Sequence, residues 1–199
     1  MAMARQSGKN GLEVLASAAK TASGKEPPPV HLWDPAYCGE IDMRIAADGT
    51  WFYQGTPIGR PALVRLFASI LKREREKYFL VTPVEKCGIL VEDAPFMAVE
   101  LQVNDASAGT QLCFRTNVDD WVVCGAGHPL RFELEVTGGL KPYVHVRRDL
   151  WAKVTRAVFY DLVDLGEARE VAGIRMFGVA SAGQFYAMAP ANSLEDFTR

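Results

Sequence analysis

Two arginines, Arg60 and Arg148, carry the strongest chemical suggestion in the sequence. Local periodicity places each just before, or in the first turn of, a helix. A helix N-terminus bears about +0.5 of an elementary charge, so a cation there needs compensation. A carboxylate supplies it in a structural ion pair, with Asp42, Glu85, Glu92 and Asp93 as candidates. Alternatively an anionic ligand supplies it, because N-terminal amides and arginine together suit phosphate. Trp51, Tyr53 and Tyr143 lie near these segments; they either stack a base or fill core with a polar tip outward. Lys86, after the Pro83 turn, pairs with Glu85 or Asp93 or reaches a phosphate. The candidate ligand-binding set is therefore Trp51, Tyr53, Arg60, Lys86, Tyr143 and Arg148, with no catalytic residue and no metal ligand assigned.

Familiar catalytic signatures are missing. The sequence holds no Gly-x-Ser-x-Gly elbow and no Walker phosphate loop. Its four cysteines, Cys38, Cys87, Cys113 and Cys124, form no Cys-x-x-Cys pair. The three histidines, His31, His128 and His145, stand at no zinc-like spacing from them. Reduced thiols acting as small hydrophobes are expected; a redox sensor would need an exposed, activated thiol. Glu92-Asp93 and Asp119-Asp120 are the carboxylate pairs that a metal-dependent hydrolase or transferase would use.

The 199 residues suit one large domain or two small ones, and a hydrophobic content of 49% supports a sizeable core. A net charge of −2 argues against general nucleic-acid binding. No apolar run approaches the roughly 18 residues needed for a membrane span, and the segment after Arg5 and Lys9 lacks a signal peptide's apolar core. A cytoplasmic location, without membrane contact and without a cofactor, is expected.

The elements that would position these residues are set by period and turn chemistry. Residues 1–10 read as disordered. Leu12, Leu15, Ala16 and Ala19 form a helical stripe that Gly24 and Pro27-Pro28-Pro29 terminate. Ile41, Met43 and Ile45 alternate with polar residues as a strand, and Asp48-Gly49 signals a hairpin returning through Thr50 to Gln54. Pro61 opens a helix predicted over 61–73, carrying Leu63, Leu66, Phe67, Ile70 and Leu71 on its buried stripe. The KREREK run then reads as a solvated helix end. Alternating strands continue through Thr137, with a polar turn over 104–110 and a turn at Gly138-Gly139. A strand is predicted over 143–147 and a second helix over 150–164, with Trp151, Val154, Val158 and Leu162 on its stripe. Strands near 174–179 and 184–188 close the chain.

Several segments resemble a known bacterial family, domain of unknown function 1285. They are CGEIDMRI (38–45), DGTWFYQGTPIGR (48–60), LVTPVEK (80–86), VEDAPF (91–96) and PYVHVRRDLWAKVTRAVFYDLV (142–163). The resemblance covers residue 30 onward and imports no activity. It implies a two-part fold with internal duplication and a C-terminal half superficially like pleckstrin-homology domains. It also implies a ligand site between the halves that suits a nucleotide-like molecule, and a signalling role.

A shift of 88 residues aligns Arg60 with Arg148, Leu63 with Trp151, Leu66 with Val154 and Ile70 with Val158, consistent with that duplication. The expected fold is α+β, in two pseudo-repeated halves that each pack an amphipathic helix on antiparallel strands. The expected divisions are a tail and helix over 1–29, an N-terminal domain over 30–88 and a C-terminal β-rich domain over 89–199. The functional expectation is a non-enzymatic ligand-binding or signalling module for a nucleotide-like or other anionic small molecule. The alternatives are a metal-dependent hydrolase or transferase on a phosphorylated substrate, and a protein-interaction domain using an exposed sheet edge.

Overall fold

The structure is a computed structural model that describes residues 9–22, 28–106, 109–135 and 139–192. Of the expected disorder at 1–10, residues 9 and 10 are helical, and residues 1–8, the breakers Gly24 and Pro27, residues 107 and 108 of the polar turn, and Val136 to Gly138 lie outside the described residues. The chain is α+β and divides into two units, Met1–Pro95 and Phe96–Arg199. The division therefore falls after Pro95, whereas position 88/89 lies inside a strand.

In the first unit, helix α1 (Lys9–Ala22) buries Leu15, Ala16 and Ala19 and packs on α2 (Pro61–Ser69). Six strands form one sheet: β1 (Tyr37–Ile45), β2 (Trp51–Tyr53), β3 (Thr56–Pro57), β4 (Leu71–Glu74), β5 (Lys77–Val81) and β6 (Lys86–Val91). Their spatial order is β3-β2-β1-β6-β5-β4. The β1–β2 turn obeys the Asp-Gly signal: Gly49 takes φ 83°, and the Asp48 carboxylate accepts from the Thr50 amide at 2.9 Å. A second hairpin, β2–β3, turns at Gln54-Gly55, where both φ angles are positive, 49° and 71°. That is the backbone a two-residue hairpin turn demands. Leu63 and Phe67 of α2 are buried in a core with Met43, Ile45, Trp51, Ile70, Leu71, Leu80 and Cys87.

The α2 helix is shorter than its apolar stripe. It stops at Ser69, and Leu71–Glu74 leaves as a strand that pairs with β5, Leu71 opposite Leu80. Ile70 and Leu71 are buried, as the helical stripe required, but through a helix end and a strand start. The KREREK run is a hairpin turning at Arg75 (φ 56°), not a helix end.

The second unit repeats the strand order of the first. Strands β7 (Phe96–Ala106), β8 (Gly109–Thr116), β9 (Trp121–Val123), β10 (Leu130–Leu134), β11 (Leu140–Arg147) and β12 (Leu150–Val154) are arranged β10-β11-β12-β7-β8-β9. In both sheets the first strand pairs with the sixth in parallel and every other pairing is antiparallel. The sheets are thus mixed around a central parallel pair. Helix α3 (Arg156–Asp164) packs on β7 and buries Val158 and Leu162. A three-stranded sheet, β13 (Glu167–Val171), β14 (Ile174–Ser181) and β15 (Gln184–Pro190), completes the unit.

Residues 150–164 are not one helix. Leu150, Ala152 and Val154 are buried in alternation in β12, and the chain turns helical only after Thr155, the N-cap. α3 begins 95 residues after α2, Arg156 against Pro61, and both helices have nine residues. An 88-residue shift misses that register by seven residues, close to two helical turns. Apolar periods still coincide after such a slip, which is why the false register looks sound. The duplication stands in strand order, with β1 at Tyr37 matched by β7 at Phe96 and β6 at Lys86 by β12 at Leu150; the two helices fall in different connections and are not part of the repeat.

Candidate functional site

Arg60 is the N-cap residue of α2, with an extended backbone at φ −108° and ψ 100°. Among the described residues no side chain caps this helix, and Pro61 at its first position has no N–H to offer. The β2–β3 hairpin delivers Tyr53, Gln54, Thr56 and Pro57 beside Arg60. With Ile58, Gly59 and with Leu12 and Glu13 of α1 they line a cleft of about 570 Å³. The compensating carboxylate for Arg60 is Glu13, at 2.8 Å, and none of the four acids the sequence offered. Both side chains of this pair are more than half exposed, so the bond is of the kind worth about 0–1 kcal/mol. Burial, and then the Asp42 charge, raise the Tyr53 phenol above its ordinary pKa. Tyr53 therefore stays a neutral donor at the cleft wall.

The remaining candidates disperse. Trp51 is 1% exposed and stacks on Phe67 with ring centroids 6.4 Å apart. It is core and offers no open ring face; its indole N–H has no hydrogen-bond partner among the described residues. Lys86 pairs with Glu74 at 3.1 Å, approaches Asp34 at 3.8 Å and lies over the Phe79 ring. Hydrogen bonds from Lys72 and then Lys86 hold the Glu74 carboxyl below its usual range. Glu74 comes from the hairpin that a helical reading of KREREK conceals, which is why Glu85 and Asp93 looked like the partners.

Tyr143 is buried, with the Arg131 guanidinium 5.0 Å from its ring centre. Arg148 is not at a helix start. It sits in the β11–β12 turn with φ 51°, eight residues before α3. Desolvation, and then the neighbouring Arg147 charge, lower its pKa, while Arg147 itself pairs with Asp120 and lies over Phe96. Of the six candidates, the structure brings together Tyr53 and Arg60.

The carboxylate pairs are engaged. Glu92 binds Arg44 and accepts from the Ala47 amide at 2.9 Å, and these two hydrogen bonds hold its carboxyl low. Asp119 meets Arg115 at 3.1 Å in a left-handed turn residue, φ 65°. Among the described residues no group of three or more His, Cys, Asp or Glu side chains is placed to hold a metal ion. Sequence reasoning missed Glu13, Gln54 and Thr56 of the cleft; only the Gln54-Gly55 turn pair, had it been read as a hairpin, pointed to the last two.

A two-unit α+β protein with an arginine-capped, helix-flanked cleft in its first unit is the class these features define. Residues 28–94 match the family model "Domain of unknown function (DUF1285), N-terminal domain", and residues 95–188 match "Protein of unknown function (DUF1285), C-terminal domain". The chain belongs to the DUF1285 family. It is similar to the crystal structure of a DUF1285 family protein from Silicibacter pomeroyi DSS-3, at 51% identity and a TM-score of 0.83, covering 91% of this chain and 97% of that one. A second DUF1285 crystal structure, from Shewanella baltica OS155, is 31% identical with a TM-score of 0.50, covering 62% of this chain and 91% of that one. No curated protein matches the chain. No helix among the described residues is long and apolar enough to cross a membrane.

Proposed function

We propose that the protein is a binding module for an anionic, nucleotide-like small molecule, which it holds in the cleft between the β2–β3 hairpin and the start of α2. The observation that carries this reading is Arg60 at an uncapped helix N-terminus inside a cleft walled by Tyr53. Such a terminus favours negative charge. Arg60 adds a fork of donors suited to phosphate, and the Tyr53 phenol adds a neutral one. Glu13 holds the arginine through an exposed pair that a phosphate oxygen outbids, because doubly charged phosphate gains more from the same guanidinium. Glu13 is the one carboxylate among the residues lining the cleft, and it is held by Arg60, so the reading is binding without turnover.

A thermal-shift panel tests it, with inorganic phosphate and nucleoside mono-, di- and triphosphates as probes. A probe at about 100 times its dissociation constant adds about 2.7 kcal/mol of stability, and Arg60→Gln cuts that shift to about half or less. An undiminished shift in Arg60→Gln, or no shift with any probe, overturns the reading.

A further inference from the structure

We infer that Cys38 and Cys87 form a reversible disulfide across the parallel pair at the centre of the first unit's sheet, giving this unit a thiol switch. The strand register places them side by side. Tyr37 pairs with Lys86, and the next partners are Glu40 and Gly88. Cys38 and Gly39 of β1 therefore both lie opposite the single residue Cys87 of β6, an arrangement in which the extra residue bulges. Gly39 supplies the bulge's positive φ, 102°.

The Cys38 thiol is turned toward β6. Its Sγ donates to the Ala36 carbonyl at 3.4 Å, and that same carbonyl accepts from the Lys86 amide at 3.3 Å. The sulfur thus sits beside the bond that ties β1 to β6, one residue from Cys87. A charge on Cys38 raises the Cys87 thiol beyond the effect of burial, as a charge on Cys113 does for Cys124, so it is the strand register that singles out the first pair.

The other two cysteines do not share this placement. Cys113 pairs with Val123, so Cys124, one residue on, points to the opposite side of the sheet. Their thiols have different neighbours: the Asn104 amide donates to Cys113 Sγ at 3.2 Å, while the Cys124 thiol meets the Tyr186 and Ser181 side chains.

Exposure assigns the roles. Cys38 is half-buried and within reach of a small oxidant, whereas Cys87 is 2% exposed. With hydrogen peroxide as oxidant, the Cys38 thiolate attacks one peroxide oxygen, the O–O bond breaks, and the departing hydroxide takes up a proton as water. Cys38 is left as a sulfenic acid. Cys87 then gives up its proton as its sulfur attacks the Cys38 sulfur; the S–O bond breaks and the departing hydroxide takes up that proton as a second water. Two thiols lose two electrons and one peroxide is reduced. The new bond closes a loop holding β2, β3, α2, β4 and β5, and so restrains the unfolded chain.

The test is mild peroxide treatment of the full folded chain, followed by thiol alkylation, intact mass measurement and peptide mapping. The expected product has lost two of the four thiols, is lighter by two hydrogens, and yields one peptide pair joined through Cys38 and Cys87. It melts at a higher temperature and reverts with dithiothreitol. Cys113→Ser behaves as the parent, whereas Cys87→Ser traps a dimedone-reactive Cys38. Survival of all four thiols in the parent overturns the inference. So does oxidation of Cys38 with Cys87 left free, or a link through Cys113 or Cys124; each is read on the unmutated protein, whatever the folding of the variants.

Discussion

The two units build the same six-strand order from different placements of a helix, and their arginines show the consequence. In the first unit α2 lies between the third and fourth strands, so the β2–β3 hairpin ends next to the helix start and Arg60 becomes its cap. In the second unit α3 comes after the sixth strand, and its cap is Thr155. Arg148, which the sequence pairs with Arg60, is left in a hairpin turn. Equal strand order therefore does not give equal chemistry: the connection that carries the helix decides whether a cation meets a helix terminus. Substitutions in matched places of the two units probe that contrast.

The largest effects lie in the two helix-bearing cores. Trp51→Ala removes a fully buried ring stacked on α2 and costs about 3–5 kcal/mol. Leu162→Ala, on the buried face of α3 in the second unit, costs about 2–5 kcal/mol. Urea unfolding measures both. If Trp51→Ala is nearly neutral, the ring is not core and its base-stacking role reopens.

Next is a polar bridge in the second unit. Ser181 accepts from the Leu112 amide at 2.9 Å and donates to the Cys124 carbonyl at 2.7 Å, tying the three-stranded sheet to β8. Ser181→Ala strands both groups and costs about 1–3 kcal/mol. A loss under about 0.5 kcal/mol in equilibrium denaturation would show that solvent replaces the bridge.

One buried thiol in each unit supplies a shared response to alkali. Burial pushes both Cys87 and Cys124 up to about 11, from an ordinary value of 9. Unfolded thiols ionise first, so stability is intact below about pH 9 and falls as pH rises toward 11. Melting temperatures from about pH 8 to 11 should fall less steeply in Cys87→Ala, and less steeply in Cys124→Ala, than in the parent. An unchanged slope in either variant excludes that thiol as a source of the effect.

Strand alternation at Ile41, Met43 and Ile45, the Asp48-Gly49 turn and Pro61 at the first helical position were all legible in the sequence, because each is a local signal with a local cause. The ends of the helices were not. Leu71 and Val154 continue a helical stripe in sequence yet are buried from strands, because an apolar residue satisfies a core from either backbone. The 88-residue register that joined Arg60 to Arg148 has the same origin, a coincidence of apolar periods. Glu13, the actual partner of Arg60, is 47 residues away, and no periodicity encodes that contact. Of the cleft, Tyr53 and Arg60 were visible by residue type; Trp51, Tyr143 and Lys86 looked equivalent until burial and the Glu74 pair separated them.

The smallest stability effects belong to the arginines themselves. Arg60→Gln breaks an exposed pair and removes a cation from a helix N-terminus, two opposed terms that leave a change within about 1 kcal/mol. Arg148→Gln removes a partly desolvated cation beside Arg147 in a turn and changes stability by about 1 kcal/mol or less. A loss of several kcal/mol in chemical denaturation of either variant would make that residue a structural ion-pair member.

The most direct test of the contrast is calorimetric titration of the parent, Arg60→Gln and Arg148→Gln with the nucleotide or phosphate that shifts melting most. Loss of a charge-assisted hydrogen bond is worth about 1.5–3 kcal/mol. Arg60→Gln should therefore weaken binding by roughly 10- to 150-fold, while Arg148→Gln binds as the parent does. Binding that survives in Arg60→Gln and is lost in Arg148→Gln would reverse the roles assigned to the two arginines.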